Sequence, residues 1–310
     1  MVTGTVPPLR HHVCLTSHAV RQAVRCQPPL MSSVADTTFP QHEPPPPLIP
    51  RLSIRAKGQT FTPPGVLLGF SVFATAFIVQ IPVFLCYLWA LVFDRKRRRG
   101  IDWVIHFWAR VSMTICGYRP EVVGLENLDG LRDKNCLFVP NHTSFLDILT
   151  LTGFIPMPMK YVSKSSILKI PLIGWPMLLA GHIALQTESR RSQLQTFKDT
   201  VQALEDGNSV ITFPEGGRST DGTLKPFKRG PFKMAMRSGV PIVPVSICGL
   251  AQWYPKGTLL PYNVPKGVRV VIHAPIDPSE GRTEGELCDR SYNIVNSALP
   301  DYQRGPPLAA

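Results

Sequence analysis

At 310 residues the chain is long enough for one sizeable core with appendages. Its 33 basic against 21 acidic side chains leave a formal net charge of +12, a balance suited to nucleic acid, an anionic membrane or phosphorylated substrates. There is no zinc-ligand spacing and no aromatic-basic RNA-binding signature, which sets nucleic acid aside, and seven scattered Cys without a Cys-x-x-Cys pair read as free thiols of a reducing compartment.

Residues 1–60 do not read as globular. Ten prolines fall there, and the only acids are Asp36 and Glu43 against Arg10, Arg21, Arg25, Arg51, Arg55 and Lys57. Basic, acid-poor and Ser/Thr-containing is the composition of an organelle transit peptide; a disordered Pro-rich arm is the alternative.

Residues 61–118 read as a membrane anchor. Gly65 to Phe93 runs 29 residues without a charge, more than the ~20 that cross a bilayer as a helix. Pro82 near its middle leaves two readings: one kinked helix that spans, or two short helices that dip into one leaflet. Arg95-Lys-Arg-Arg-Arg99 follows at once, which puts the downstream part on the cytosolic or stromal side. The same cluster can hold anionic lipid at ~1 kcal/mol per charge. Ile101 to Cys116, apolar with Trp103, His106, Trp108 and Arg110 interspersed, suits an interfacial helix.

Glu121-Val-Val-Gly124 opens the next region, 119–280, as a strand. Cys136 to Pro140 is a short apolar strand that leads into Asn141-His142-Thr143-Ser144-Phe145-Leu146-Asp147, and Ile148 to Phe154 reads as the helix that leads out. His142 at a strand-to-helix turn, with Asp147 in the first turn, is the arrangement of a general base oriented by a carboxylate. Ser144-x-x-Asp147 equally fits a helix capping box.

Residues 166–181, with Pro171, Gly174 and Pro176, read as broken helical pieces. Ser192 to Asp206 reads as an amphipathic helix with a core stripe of Leu194, Phe197, Val201 and Leu204, a Ser192-x-x-Gln195 cap and Gly207 at its end. Ser209 to Phe213 is a further strand, followed by Pro214-Glu215-Gly216-Gly217-Arg218-Ser219. There the glycines allow a close backbone approach and Arg218 offers a fork for a phosphate. A tight turn with a solvated Arg is the plainer reading. Pro231 to Ser238 is a shorter helix closed by Gly239, Val268 to His273 is a late strand, and 281–310 reads as a polar, frayed tail. Strands alternating with helices predict an α/β domain, a mixed sheet flanked by helices, behind an N-terminal membrane-associated helical segment.

Asn141-His142-x-Ser144-x-x-Asp147 followed by Phe213-Pro214-Glu215-Gly216-x-Arg218-Ser219 resembles the glycerolipid acyltransferase superfamily. Lys160 to Lys164 with Ile170 to Trp175, and Val240 to Pro244, are similar to its second and fourth blocks, over about residues 100 to 275. Ser192 to Leu194, Phe213 to Lys233 and Val270 to His273 resemble the plastid 1-acylglycerol-3-phosphate acyltransferases of plants and algae.

The resemblance implies transfer of a fatty acyl group from a thioester to the sn-2 hydroxyl of lysophosphatidic acid at a membrane. His142 would be the base and Asp147 its orienter. Amides near Gly216 and Gly217 would meet the oxyanion, and Glu215 would hold the loop or a substrate hydroxyl. Arg218, Lys160 and Lys228 would hold the phosphate. No metal or cofactor is implied beyond acyl-CoA or acyl-carrier protein as co-substrate. A plastid membrane is the expected location and the endoplasmic reticulum the alternative. Two departures stand out: Gly217 where the family has Thr, and Thr187 where the second block ends in Arg, with Arg190 and Arg191 just beyond. Glycerol 3-phosphate or another lysophospholipid as acceptor, or a catalytically silent phospholipid-binding protein, are the rival readings.

Overall fold

The computed structural model describes residues 53–56, 59–131, 134–186, 189–281, 283–306 and 308. The predicted leader up to residue 52 and the departure at Thr187 lie outside the described residues. A short antiparallel pair, β1 (Ile54–Ala56) and β2 (Gln59–Phe61), leads into the apolar run.

That run is one helix, α1 (Pro63–Phe93), continuous through Pro82. Thr62 caps it by accepting from the Gly65 amide at 3.2 Å, and prolines fill its first turn, where no amide is missed. At 1.5 Å per residue it is about 46 Å long. Leu68, Ala76, Val83 and Ala90 are buried along one face, while Phe70, Phe77, Ile81, Phe84, Trp89 and Phe93 are exposed along the other.

The next helix, α2 (Arg99–Ile115), folds back along α1, with Trp108 Nε1 donating to Thr75 Oγ1 at 3.0 Å. Its Ile101, Ala109 and Met113 are buried and its Trp103, Phe107 and Ile115 exposed, so it has both a core face and an exposed apolar face.

Seven strands form the main sheet: β3 (Glu121–Val123), β4 (Leu137–Pro140), β5 (Met159–Lys164), β6 (Ile183–Leu185), β7 (Ser209–Ile211), β8 (Ile242–Cys248) and β9 (Arg269–Ile272). Their order is β3-β9-β8-β4-β7-β5-β6, and only the β8–β9 pair is antiparallel. The sheet is therefore mixed, as expected. β4 and β8 are buried at every residue, the signature of central strands covered on both faces. The helices between strands are α3 (Leu146–Phe154), α4 (Ser165–Leu168), α5 (Gly174–Ala180), α6 (Arg190–Glu205) and α7 (Gly230–Ser238). α3 lies close enough to α2 that a Cβ at Gly153 would stand 2.8 Å from the Arg110 nitrogen.

Two expectations need correction. The α6 cap is Ser189, whose side chain accepts from the Ser192 amide, so the helix starts before Ser192. Leu194 is exposed, and the buried face includes Thr196 and Thr200. Nor does the chain fray after residue 281. Thr283 caps α8 (Glu284–Ala298), which buries Leu287, Tyr292 and Val295. Ser246 on β8 donates to the Val295 carbonyl at 2.9 Å, so this helix is part of the domain. Its apolar residues occupy one narrow face beneath Asp289, Arg290 and Asn293, and in a linear window the polar side outweighs them.

Candidate active site

The strands β4, β5, β6, β7 and β8 all run the same way, so the loops after them collect at one end of the sheet, where open α/β sheets place their ligands. His142 follows β4, and the Glu215–Arg218 loop follows the neighbouring β7.

Asn141 fixes where β4 ends. Its amide group donates to the Ile247 carbonyl at 3.0 Å and accepts from the Ile247 amide at 2.7 Å, matching one backbone unit of β8 with a side chain. His142 comes next and is held by its backbone on both sides. Its amide donates to Glu215 Oε1 at 2.6 Å, and its carbonyl accepts from the Ser219 amide at 2.9 Å. The imidazole stacks on Phe213 with ring centroids 3.9 Å apart. The two motifs, some 70 residues apart in sequence, are thus one unit in space.

Asp147 Oδ2 lies 2.9 Å from His142 Nδ1 and also accepts from the amides of Thr143 and Ser144 at 2.7 and 2.8 Å. Both readings of Asp147 therefore hold together: the carboxylate that caps the start of α3 also takes the imidazole. An acidic group in the first turn also suits the positive end of the helix dipole. With Nδ1 facing a carboxylate, Nδ1 carries the hydrogen and Nε2 is the basic nitrogen. The His142 side chain is 13 % exposed while that of Asp147 is 0 % exposed, so the base is reachable and its orienter is not. Ser144 Oγ donates to the Tyr254 carbonyl at 3.0 Å and accepts from the Leu146 amide at 3.3 Å. It is engaged as a cap.

Glu215 joins the motifs. Besides the His142 amide it accepts from the Lys225 amide at 3.2 Å, and burial pushes its carboxyl up to about 8 against the pull of these two donors. Gly216 has φ +77°, a backbone conformation that favours glycine, and sits beneath the Lys228 ammonium. The Gly216 amide is spent on the Phe213 carbonyl at 3.0 Å. The amides of Gly217 and Arg218 have no such bond among the described residues, so of the two amides expected to meet the oxyanion, at Gly216 and Gly217, only the second is left unspent. A Cβ at Gly217 would meet nothing within 4 Å, so glycine there costs a hydroxyl rather than serving the backbone. Lys225 Nζ donates to the Gly217 and Arg218 carbonyls at 3.3 and 2.7 Å and holds the loop from behind. Arg218 is half-buried, and its charge bears on Tyr254.

Lys160 is not part of this cluster. It pairs with Val210 in register, as Leu137 does, which puts it at the start of the strands, away from the loops after them. Its ammonium makes a 2.5 Å ion pair with Asp102 of α2, and the two side chains are 2 % and 4 % exposed. The correction to the phosphate clamp is physical: a cation sealed against a carboxylate has no face left for a ligand. Asn141, Phe213 and Ser219 stand in the two motif strings with no role of their own read from them, and Lys225 lies outside both, because all four act on the backbone or rings of their neighbours.

Beside the site lies an apolar cavity of about 310 Å³. Leu68 and Val72 of α1, Trp108 of α2, Phe145 within the His142 motif, and Met159 and Tyr161 of β5 line it among others.

A mixed α/β sheet that joins a strand-end histidine to a carboxylate and an arginine loop defines an acyltransferase. The acyltransferase family profile matches residues 119–248. A chloroplastic 1-acyl-sn-glycerol-3-phosphate acyltransferase of Brassica napus is 35% identical over 270 residues, 86% of this chain and 72% of its own length. A 1-acyl-sn-glycerol-3-phosphate acyltransferase of Chlamydomonas reinhardtii is 36% identical over 232 residues, covering 74% and 68%. The solved 1-acyl-sn-glycerophosphate acyltransferase of Thermotoga maritima superposes with a TM-score of 0.64 at 29% identity, over 74% of this chain and 92% of that one. The chain belongs to the 1-acyl-sn-glycerol-3-phosphate acyltransferase family.

Proposed function

We propose that the protein transfers a fatty acyl group from an acyl thioester to the sn-2 hydroxyl of 1-acyl-sn-glycerol 3-phosphate, giving phosphatidic acid. The observation that carries the chemistry is the 2.9 Å contact between His142 Nδ1 and buried Asp147, with Nε2 left as the basic nitrogen. Nε2 takes the hydroxyl proton as that oxygen attacks the thioester carbon. The carbon–sulfur bond then breaks, and the departing thiolate recovers the proton from the imidazolium. The acceptor oxygen is itself the nucleophile, so no acyl-enzyme is needed, in keeping with Ser144 serving as a cap. The Gly217 and Arg218 amides face the developing oxyanion, a contribution that grows in a site shielded from water. Arg218 and Lys228 hold the acceptor phosphate, as charge-assisted donors suit a phosphate monoester.

The apolar cavity beside the motif takes an alkyl chain. The exposed apolar face of α1, whose opposite face is packed on the domain, supports docking into one leaflet, from which both lipids can enter. The leader composition and the chloroplastic relatives support a plastid membrane. Acyl-CoA and acyl-carrier protein both fit as donors.

The test is a reconstituted assay offering lysophosphatidic acid, glycerol 3-phosphate and lysophosphatidylcholine with each donor in turn. Phosphatidic acid formed from the first acceptor at a rate well above the other two is expected. A preference for a head group without a phosphate monoester would contradict the reading.

A further inference from the structure

At the opposite end of the sheet from His142 lies a second, much smaller cavity of about 130 Å³. Arg97 from the α1–α2 connection, Arg99 at the start of α2 and Lys134 from just before β4 bring three cations to its wall. Pro158, Gly207 and Asn208, which precede β5 and β7, complete it, and no carboxylate lines it. The geometry points to an anion site for the phosphate of an anionic bilayer phospholipid, separate from the acceptor phosphate of the reaction.

Three observations carry this. First, the basic run is not simply a solvated tail. Arg97 Nε donates to the Asp206 carbonyl at 3.0 Å, and its guanidinium lies over Gly207, whose φ of +85° and missing Cβ make room for it. The arginine is thus positioned while its charge stays uncompensated: among the described residues neither Arg97 nor Lys134 has a carboxylate partner. Second, the nearby acids leave two of the three cations free: Asp206 pairs with Lys96, outside the cavity, at 2.7 Å, and Asp94, which caps the Arg99 amide, lies 3.9 Å from Arg99 Nε and offsets that arginine alone. Third, the cavity sits where the exposed apolar face of α1 stops. Trp89, Val92 and Phe93 are the last exposed apolar residues, and the cations begin two residues on. A lipid whose tails cover that face brings its phosphate to this level. Two forks and an ammonium are the donors that recognise phosphate.

The probe is phosphatidylglycerol against phosphatidylcholine, read by native mass spectrometry of the full-length protein released from detergent, a readout independent of acyl transfer. The wild type is expected to retain one phosphatidylglycerol per chain in preference to phosphatidylcholine. Arg97→Gln with Lys134→Gln should lower that retention at least ~10-fold, since two charge-assisted donors to the phosphate are lost together. Lys134→Gln alone, a change at an exposed residue, gives an intermediate loss without risk to the fold. A control pair, Lys198→Gln with Lys233→Gln on α6 and α7, leaves retention unchanged. Equal retention by wild type, pocket variants and control overturns the site. Inorganic phosphate bound with no phosphatidylglycerol retained overturns the lipid assignment.

Discussion

Two buried aspartates, Asp147 and Asp102, invite comparison because each has a basic partner and each leaves Oδ1 unpartnered and buried. Asp147 holds a histidine whose ring is partly exposed, and two backbone amides neutralise the same oxygen. Asp102 holds a lysine that is sealed from solvent with it, and burial pushes its carboxyl up to about 7. The first pair faces the end of the sheet where loops gather. The second joins β5 to α2 and fastens the α1–α2 hairpin to the domain. Ionisable pairs of similar proximity thus do different work according to what remains accessible: a free nitrogen on His142, nothing on Lys160.

The largest effect expected from this contrast is on turnover. His142→Ala should lower kcat by roughly 10²–10⁴-fold with the fold intact, because Glu215 and Ser219 hold this turn through the His142 backbone, which alanine keeps. Near-full activity in steady-state assays of that variant would remove the histidine from the chemistry.

Lys160→Met should do the reverse. It leaves Asp102 buried without a partner, which costs ~3–5 kcal/mol, seen as a lowered denaturation midpoint in detergent. Adding Asp102→Leu should recover most of that loss, and the folded double variant should keep its KM for lysophosphatidic acid. A raised KM in the stable double variant would return Lys160 to the phosphate clamp.

Acid should act on stability through two buried histidines. Burial lowers His182 to about 3 and His273 to about 4 from 6.5. A histidine kept neutral in the fold contributes stability that is whole above pH 6.5 and is lost as pH falls toward the folded value. Between pH 7 and 5 the two together should cost ~4 kcal/mol, offset by a gain of similar size from Asp102 and Glu215, whose carboxyls burial raises to about 7 and about 8 so that they take up a proton in the fold before they do in the unfolded chain. His182→Gln should therefore gain ~2 kcal/mol relative to the wild type as pH falls from 7 to 5, as measured by chemical denaturation of both across that range.

The smallest effect is expected at the acceptor phosphate. Arg218→Ala should raise KM for lysophosphatidic acid at least ~10-fold, equivalent to 1.4 kcal/mol, with kcat less affected. Arg190→Ala and Arg191→Ala, which open α6, should each do much less. A larger loss at either would mean that the clamp is built there.

Four strands of the main sheet (β3, β4, β7 and β9), the long apolar helix and the two motifs were legible because each is a local pattern: a short apolar run, a long apolar run, or a polar string at a strand end; β5, β6 and β8 were not read as strands. What stayed hidden depended on partners far along the chain. Lys160 looked like a ligand-binding cation because its carboxylate lies 58 residues upstream, in a stretch that read as membrane interface. α8 looked like a tail although Thr283 and Glu286 mark its start, since only a narrow face of it is apolar. The Asn141 lock on Ile247 spans 106 residues and has no local trace.

The central claim is that His142 and Asp147 work as one unit, and a double-mutant cycle on kcat tests it most directly. His142→Ala, Asp147→Asn and the two combined would be compared in one assay, each checked for folding. The account predicts that the double variant is no slower than His142→Ala alone, because Asp147 acts only through the imidazole. Losses that multiply, so that removing Asp147 slows the enzyme equally with or without His142, would contradict it.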